Sequence, residues 1–275
     1  MRLQEYGVDI FTSISTKSAL KKILKKGFIK VNDVVATSAT FIKGGECISL
    51  SIPNEETPKK RLDFKLKVLF EDDYLALIHK PAGILVSGNS FKTVTNALSQ
   101  NLKESTAIDA VKPQPVHRLD YATTGVLLIG KTRSSIRILN ALFENKKVKK
   151  TYYAITIGDM NPQGEITSTI DGKPSESRFT VLDSVSSKRF GKLNLVKLNP
   201  KTGRRHQLRK HLWSIGNPIL GDITYSTKNL ILKRKGLYLH ADALEFIHPF
   251  TNEKVNQKAE LPKKFNKIFP STTME

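Results

Sequence analysis

Two short stretches hold the residue types that chemistry needs. In the first, His117-Arg118-Leu119-Asp120 sets a carboxylate close to an arginine, followed by Thr123-Thr124-Gly125 and the apolar run Val126-Leu127-Leu128-Ile129. Such a run reads as a strand in a sheet interior, and the polar residues before Gly125 as a loop held by it. A reactive group on a loop rooted in a rigid strand is well placed for catalysis. The plain alternative is an Asp120 that pairs with Arg118 or caps a turn. The second stretch is Gly203-Arg204-Arg205-His206-Gln207-Leu208-Arg209-Lys210-His211-Leu212. If helical from His206, it turns Leu208, Leu212 and Ile215 to a core while His206, Arg209, Lys210 and Trp213 share another face. A basic face with an aromatic suits a phosphate backbone and an unstacked base; the alternative is a solvated basic helix.

Other patterns imitate chemistry without its physical requirements. Residues 125–132 fit G-x-x-x-x-G-K-T, yet a phosphate loop needs small, flexible residues between its glycines, and here those positions are Val-Leu-Leu-Ile. Ser18-Ala19-Leu20-Lys21 and Lys201-Thr202-Gly203 mimic two serine β-lactamase motifs, but the S-D-N element is missing. His206 and His211 have finger-like spacing without a cysteine pair or an H-E-x-x-H, so no metal site is expected.

A length of 275 residues suffices for one large domain or a large and a small one. Forty-five Lys and Arg against 25 Asp and Glu give a net charge of +20, more than solubility needs, which points to a polyanionic partner. Nucleic acid leads, because no apolar run approaches the roughly 20 residues that span a bilayer. The N-terminal residues carry no apolar signal core, and a single cysteine excludes an internal disulfide, so a reducing, cytoplasmic setting is expected. Cys47, ahead of the alternating Ile48, Leu50 and Ile52, is expected to be a small core residue.

Residues 1–55 read as a small α/β module. Ser15 or Thr16 caps a helix that ends at Gly27, with Ala19, Leu20, Ile23 and Leu24 as its apolar stripe. Lys17, Lys21, Lys22, Lys25 and Lys26 coat its other faces. Strands are expected at 28–31, 39–42 and 47–52. The polar, proline-bounded residues 56–62 form a linker, and 63–275 a larger domain. There, strands are expected at 67–70, 75–78, 126–129, 151–157, 165–170, 178–182, 193–198, 237–246 and 254–259, with helices at 93–103, 134–145 and 206–215. Helices interspersed among strands without strict alternation indicate α+β.

These residues also carry a family resemblance. His117-Arg118-Leu119-Asp120 with Thr123-Thr124-Gly125 resembles the H-R-L-D-x-x-T-S-G signature of RluA-type pseudouridine synthases, and residues 203–212 resemble their G-R-T-H-Q-I-R-x-H-L. Lys80-Pro81-Ala82-Gly83, Lys150-Thr151-Tyr152, Pro218-Ile219-Leu220-Gly221-Asp222 and Leu239-His240-Ala241 are similar to further motifs of that family, in its order. Thr124, Arg205 and His79 depart from the usual residues without removing one the reaction needs. The N-terminal module resembles the small RNA-binding domain named after ribosomal protein S-four, through its basic helix, Gly27 to Asn32 and Lys43 to Ile48, although Asp33 stands where that domain usually has glycine.

The resemblance implies a mixed, mainly antiparallel sheet and an isomerase that converts uridine in ribosomal or transfer RNA to pseudouridine without cofactor or metal, acting as a monomer with no membrane partner. It implies Asp120 as nucleophile, Arg209 as its cationic partner, and Tyr152 stacking on the uracil or helping to remove the C5 proton. A flipped uridine costs a few kcal/mol, which contacts from His117, Arg118, Lys150, Arg204, His206 and Gln207, and from Lys21, Lys22, Lys25 and Lys26, would offset. The competing readings are an inactive RNA-binding or ribosome-assembly protein and a phosphate-loop hydrolase.

Overall fold

The computed structural model describes residues 1–7, 10, 11, 14, 17–51, 62–232 and 235–270. The chain divides into two compact units, Met1–Lys60 and Arg61–Glu275. Ser15 and Thr16, and the expected linker up to residue 61, lie outside the described residues.

The first unit comprises α1 (Leu3–Tyr6), α2 (Lys17–Lys25), β1 (Ile29–Val31), β2 (Val34–Val35) and β3 (Ile48–Leu50). Its antiparallel sheet has the order β2-β1-β3. Leu20 and Leu24 of α2 pack with Leu3, Ile14, Ile29 and Ala36, each buried leucine contributing about 2 kcal/mol. The lysines of α2 remain in solvent. The strand expected at 39–42 does not form: Phe41 makes one isolated bridge to Arg2. Its place beside β1 goes to β2, because Asn32 and Asp33 take left-handed φ values of 47° and 62° and close a two-residue hairpin. Short polar side chains tolerate that conformation, so glycine is dispensable here. Cys47 is exposed, not in the core, since its backbone is tied to the Asn32 side chain at 2.8 Å just before β3 begins.

The second unit carries β4 (Lys67–Glu71), β5 (Leu75–Lys80), α3 (Val94–Ala97), β6 (Ala110–Pro115), β7 (Thr124–Thr132), α4 (Arg133–Glu144), β8 (Lys149–Ile157) and β9 (Gln163–Ile170). It continues with β10 (Lys173–Ser187), β11 (Gly191–Pro200), α5 (Gln207–Ser214), β12 (Leu239–Ile247), β13 (Lys254–Lys258) and α6 (Lys263–Asn266). One ten-stranded sheet runs β4-β5-β7-β12-β8-β11-β10-β9, with β6 beside β7 and β13 beside β12. Every pairing is antiparallel except β7 with β12, so the unit is a mixed, mainly antiparallel α+β fold. Among the described residues no helix is long and apolar enough to cross a membrane.

The continuous apolar runs of β5 and β7 arise because both faces are covered. Ala76, Ile78, Leu127 and Ile129 pack under Val94, Ala97 and Leu98, while Leu75, Leu77, Val126 and Leu128 pack against Leu139 of α4. The helix expected at 93–103 is shorter, one turn of α3 followed by a 3-10 turn over Leu98–Gln100. Thr132 and Ser135 cap α4 reciprocally, worth about 1 kcal/mol. β10 is far longer than expected, and β6, with two prolines and alternating exposure, was not anticipated.

The parallel junction of β7 and β12 pairs Thr124 with His240 and Gly125 with Ala241. Gly125 has φ 119°, and a Cβ there would overlap the Ala241 carbonyl oxygen while meeting its carbon at 2.6 Å and its nitrogen at 2.7 Å. Gly125→Ala should destabilise the second unit by about 3 kcal/mol, because neither the backbone conformation nor the space admits a methyl group. Thermal unfolding should show a fall of roughly 6–12 °C; an unchanged midpoint would refute this tight crossing.

Candidate active site

The loop before β7 is anchored from several sides. Lys80, at the end of β5, is buried, and its ammonium donates to the carbonyls of Pro81 at 2.9 Å, Tyr121 at 3.3 Å and Thr123 at 2.8 Å. Burial pushes this lysine down to about 8, an effect that Asp120 opposes. The Gly83 N–H donates to the Tyr121 carbonyl at 2.8 Å, and the Thr123 N–H to the Asp120 carbonyl at 3.1 Å. Thr124 Oγ1 and His240 Nδ1 share a 2.8 Å hydrogen bond that fixes the start of β7 to β12. Leu119 turns into the core, leaving Asp120 partly exposed at the cleft.

That cleft has a volume of roughly 720 Å³. Arg118, Lys146, Lys150, Lys201, Arg204, Arg205 and Arg209 line it against only Asp120 and Glu144, so its field favours a polyanion. At its floor Arg209 joins two carboxylates. Its Nε and Nη2 donate to Asp222 at 2.6 and 2.9 Å, and its Nη1 donates to Asp120 Oδ2 at 3.3 Å. The Asp222 side chain is fully buried, and its Oδ1 also accepts from the N–H groups of Thr224 and Tyr225 at 2.9 and 3.0 Å. Burial raises the Asp222 carboxyl, but the Arg209 pair and these two N–H donors outweigh it and hold the group below its usual value. The Arg209 guanidinium also lies 5.0 Å from the Tyr225 ring centroid.

Tyr152, on β8 opposite Ala241, packs against two of the apolar clusters and lines the cleft. Burial first, and the charge of Asp120 second, push its phenol above the ordinary value. A phenol so placed stays protonated.

On α5, His206, Arg209 and Trp213 all meet the Tyr225 ring, as a shared face requires, with Arg209 buried and Trp213 half exposed. Gln207, expected at the RNA, is buried and engaged within the protein. Its Oε1 accepts from Thr202 Oγ1 and the Arg204 N–H at 2.7 and 2.9 Å, while its Nε2 donates to the Glu176 carbonyl and Ser177 Oγ, both at 2.9 Å. These bonds anchor the loop, and Gln207 also lines the cleft. His117 is likewise occupied: its Nε2 accepts the Leu128 N–H at 3.0 Å, its ring stacks on Phe143, and burial pushes it down to about 3, so it is neutral. Arg118 is exposed at the cleft. Lys150 donates to the Thr202 carbonyl at 3.0 Å, with burial and then Lys146 pushing it down to about 8. Arg204 donates from Nε to the Pro174 carbonyl at 3.1 Å. His206 and His211 turn to different partners, Tyr225 and Ser175.

Residues 125–132 are strand throughout, and Lys131 is buried against Glu71 at 2.8 Å, so no phosphate cradle exists there. Sequence reasoning did not single out Asp222 and Lys80 as site residues, although both lie in motifs already quoted, and had no signal for Tyr225.

A family model described as RNA pseudouridylate synthase matches residues 74–214. The chain belongs to the RNA pseudouridylate synthase family. It is an RluA-type pseudouridine synthase, an enzyme acting on RNA. It is 31% identical to the ribosomal large subunit pseudouridine synthase C of Vibrio cholerae, over 89% of this chain and 85% of that protein. It is 30% identical to the ribosomal large subunit pseudouridine synthase D of Nitrosomonas europaea, over 90% of this chain and 77% of that protein. Among solved structures, human RNA pseudouridylate synthase domain containing 4 superposes with a TM-score of 0.58 at 28% identity, covering 72% of this chain and 90% of that one. The family model spans the anchored loop, Tyr152 and α5 but stops short of Asp222, Tyr225 and His240.

Asp222→Asn in this synthase should cost about 3 kcal/mol of stability, because it leaves the buried Arg209 without its main counter-charge. The Asp222 carboxyl is held below its usual value, so its contribution is present above the ordinary carboxylate range and is lost as pH falls through the folded-state value. Chemical denaturation at neutral pH should therefore separate variant from wild type clearly, and the gap should narrow in strong acid. A constant gap at every pH would contradict the pairing.

Proposed function

We propose that this synthase isomerises a specific uridine of ribosomal RNA, the substrate class for which its relatives are named, with Asp120 as the nucleophilic carboxylate. The observation that carries this reading is the position of Asp120: partly open, in a basic cleft, with one oxygen held by a buried arginine. In the reaction the N1–C1′ bond breaks, the uracil turns, the C5–C1′ bond forms, C5 loses a proton and N1 gains one. Every product atom is already in the substrate, so the chemistry calls for neither an electron carrier nor a group donor. The demand falls on positioning and charge.

Arg209 pairs with one oxygen of Asp120 and fixes its direction. Tyr152 supplies a protonated aromatic face for the detached base. Arg118, exposed beside Asp120, braces the space a flipped uridine vacates, while Lys150, Arg204 and His206 line the path of the strand. Residues 63–275 act as the catalytic domain and residues 1–55 as an S-four-like RNA-binding module, whose Lys21, Lys22, Lys25 and Lys26 meet phosphates.

Asp120→Asn should abolish pseudouridine formation while leaving RNA affinity within about twofold, since the carboxamide keeps the shape and the basic cleft is intact. Retained turnover would remove Asp120 from the nucleophile's role. Replacing Lys21, Lys22, Lys25 and Lys26 together by Ala should flatten the dependence of log affinity on log salt by about 3 units if each meets one phosphate. A titration series with an unchanged slope would detach α2 from RNA binding.

A further inference from the structure

Tyr225 is tied to the site through three separate contacts. Its backbone N–H donates to Asp222 Oδ1 at 3.0 Å, its ring lies under the Arg209 guanidinium, and its hydroxyl is 3.0 Å from His206 Nδ1. The tyrosine and histidine rings meet edge to face, with centroids 5.6 Å apart at 76°. On the far side of the imidazole, His206 Nε2 faces Asp120 Oδ1 at 3.8 Å, while the other oxygen of Asp120 takes Arg209.

His206 holds an uncommon backbone conformation to do this. Its φ of 55° and ψ of 26° are left-handed, and at the N-cap of α5 its side chain caps nothing. Such a residue costs on the order of 1 kcal/mol and persists where the surroundings over-determine it. The ring's hydrogen-bond partner is the Tyr225 hydroxyl, and the ring takes no part in helix capping. Burial lowers the imidazole's tendency to protonate, as do Arg209, Arg205 and Lys210, against the opposing pull of Asp120. In a neutral imidazole one nitrogen donates and the other accepts.

We propose that Tyr225 is a positioning residue of the isomerisation: its hydroxyl donates to His206 Nδ1 and so keeps the ring proton on Nε2, facing the free oxygen of Asp120. The 3.8 Å gap is too long for a direct hydrogen bond. The imidazole N–H and the carboxylate instead converge on one point, where a ribose hydroxyl of the bound uridine accepts from the first and donates to the second. The inference rests on the assignment of Asp120 as the reacting carboxylate.

Tyr225→Phe removes one oxygen and keeps the ring beneath Arg209 and the backbone donor to Asp222. Turnover can be followed as tritium released from C5 of labelled large-subunit ribosomal RNA transcript. The expected loss in kcat is about tenfold, the scale of one misdirected hydrogen bond, with KM within about twofold. Imidazole nitrogen NMR of the resting enzyme should show His206 passing from the Nε2–H tautomer to a mixture, and in a His206→Ala background Tyr225→Phe should cost nothing further. Wild-type kcat in Tyr225→Phe, an unchanged tautomer, or an additive loss in the double variant would each overturn the proposal. The tautomer is read without turnover, so its outcome stands apart from any failure of Asp120→Asn to abolish activity.

Discussion

The site depends on one buried arginine shared by two carboxylates. Arg209 gives its Nε and Nη2 to Asp222, which never reaches solvent, and its Nη1 to Asp120, which does. A buried guanidinium without a counter-charge would cost several kcal/mol, and Asp222 removes that cost before substrate arrives. Arg209 is then free to orient Asp120 without being neutralised by it. The longer contact to Asp120 and the shorter ones to Asp222 fit that division between a partly exposed and a buried partner.

The same logic shapes the loop that carries Asp120. Its carbonyls at Tyr121 and Thr123 are received by the Lys80 ammonium, a charged donor that binds them more strongly than a neutral one would. His117 accepts from the strand that follows, and Thr124 is tied to His240 on the neighbouring strand. Gly125 lets β7 and β12 approach closely enough for those ties to form. The loop is thus held by polar groups already satisfied within the protein, and its one acidic side chain faces the cleft.

The central sheet was legible wherever both faces are buried, because Leu75 to Ile78 and Val126 to Ile129 then read as unbroken apolar runs. β10 was read too short, since Ser175 and Ser177 look like loop residues and are in fact buried, serving His211 and Gln207 of α5. The internal hydrogen bonds of Gln207 were not legible for the complementary reason: its motif position says nothing about which way an amide points. Asp120 and Arg209 could be paired in advance only through the family resemblance. The Arg209–Asp222 pair and the Tyr225–His206 contact are products of tertiary placement, and no periodicity announces them.

The isomerisation proposed for this site sets a particular demand on such a protein. Its groups must favour a charge distribution that exists only midway, and groups that reorient during the reaction lose much of that advantage. The distribution of burial follows from this. Arg209, Asp222 and Lys80 are buried and multiply bonded, so their dipoles and charges are set at folding. Arg118 and Arg205, at the cleft, stay in solvent, where long side chains keep their freedom. Tyr152 and His206 lie between these extremes, partly covered and adjacent to Asp120. Burial and multiple hydrogen bonding are therefore greatest around Arg209, Asp222 and Lys80 and decrease toward the rim, an arrangement that suits the proposed grip on a variable backbone beside a fixed carboxylate.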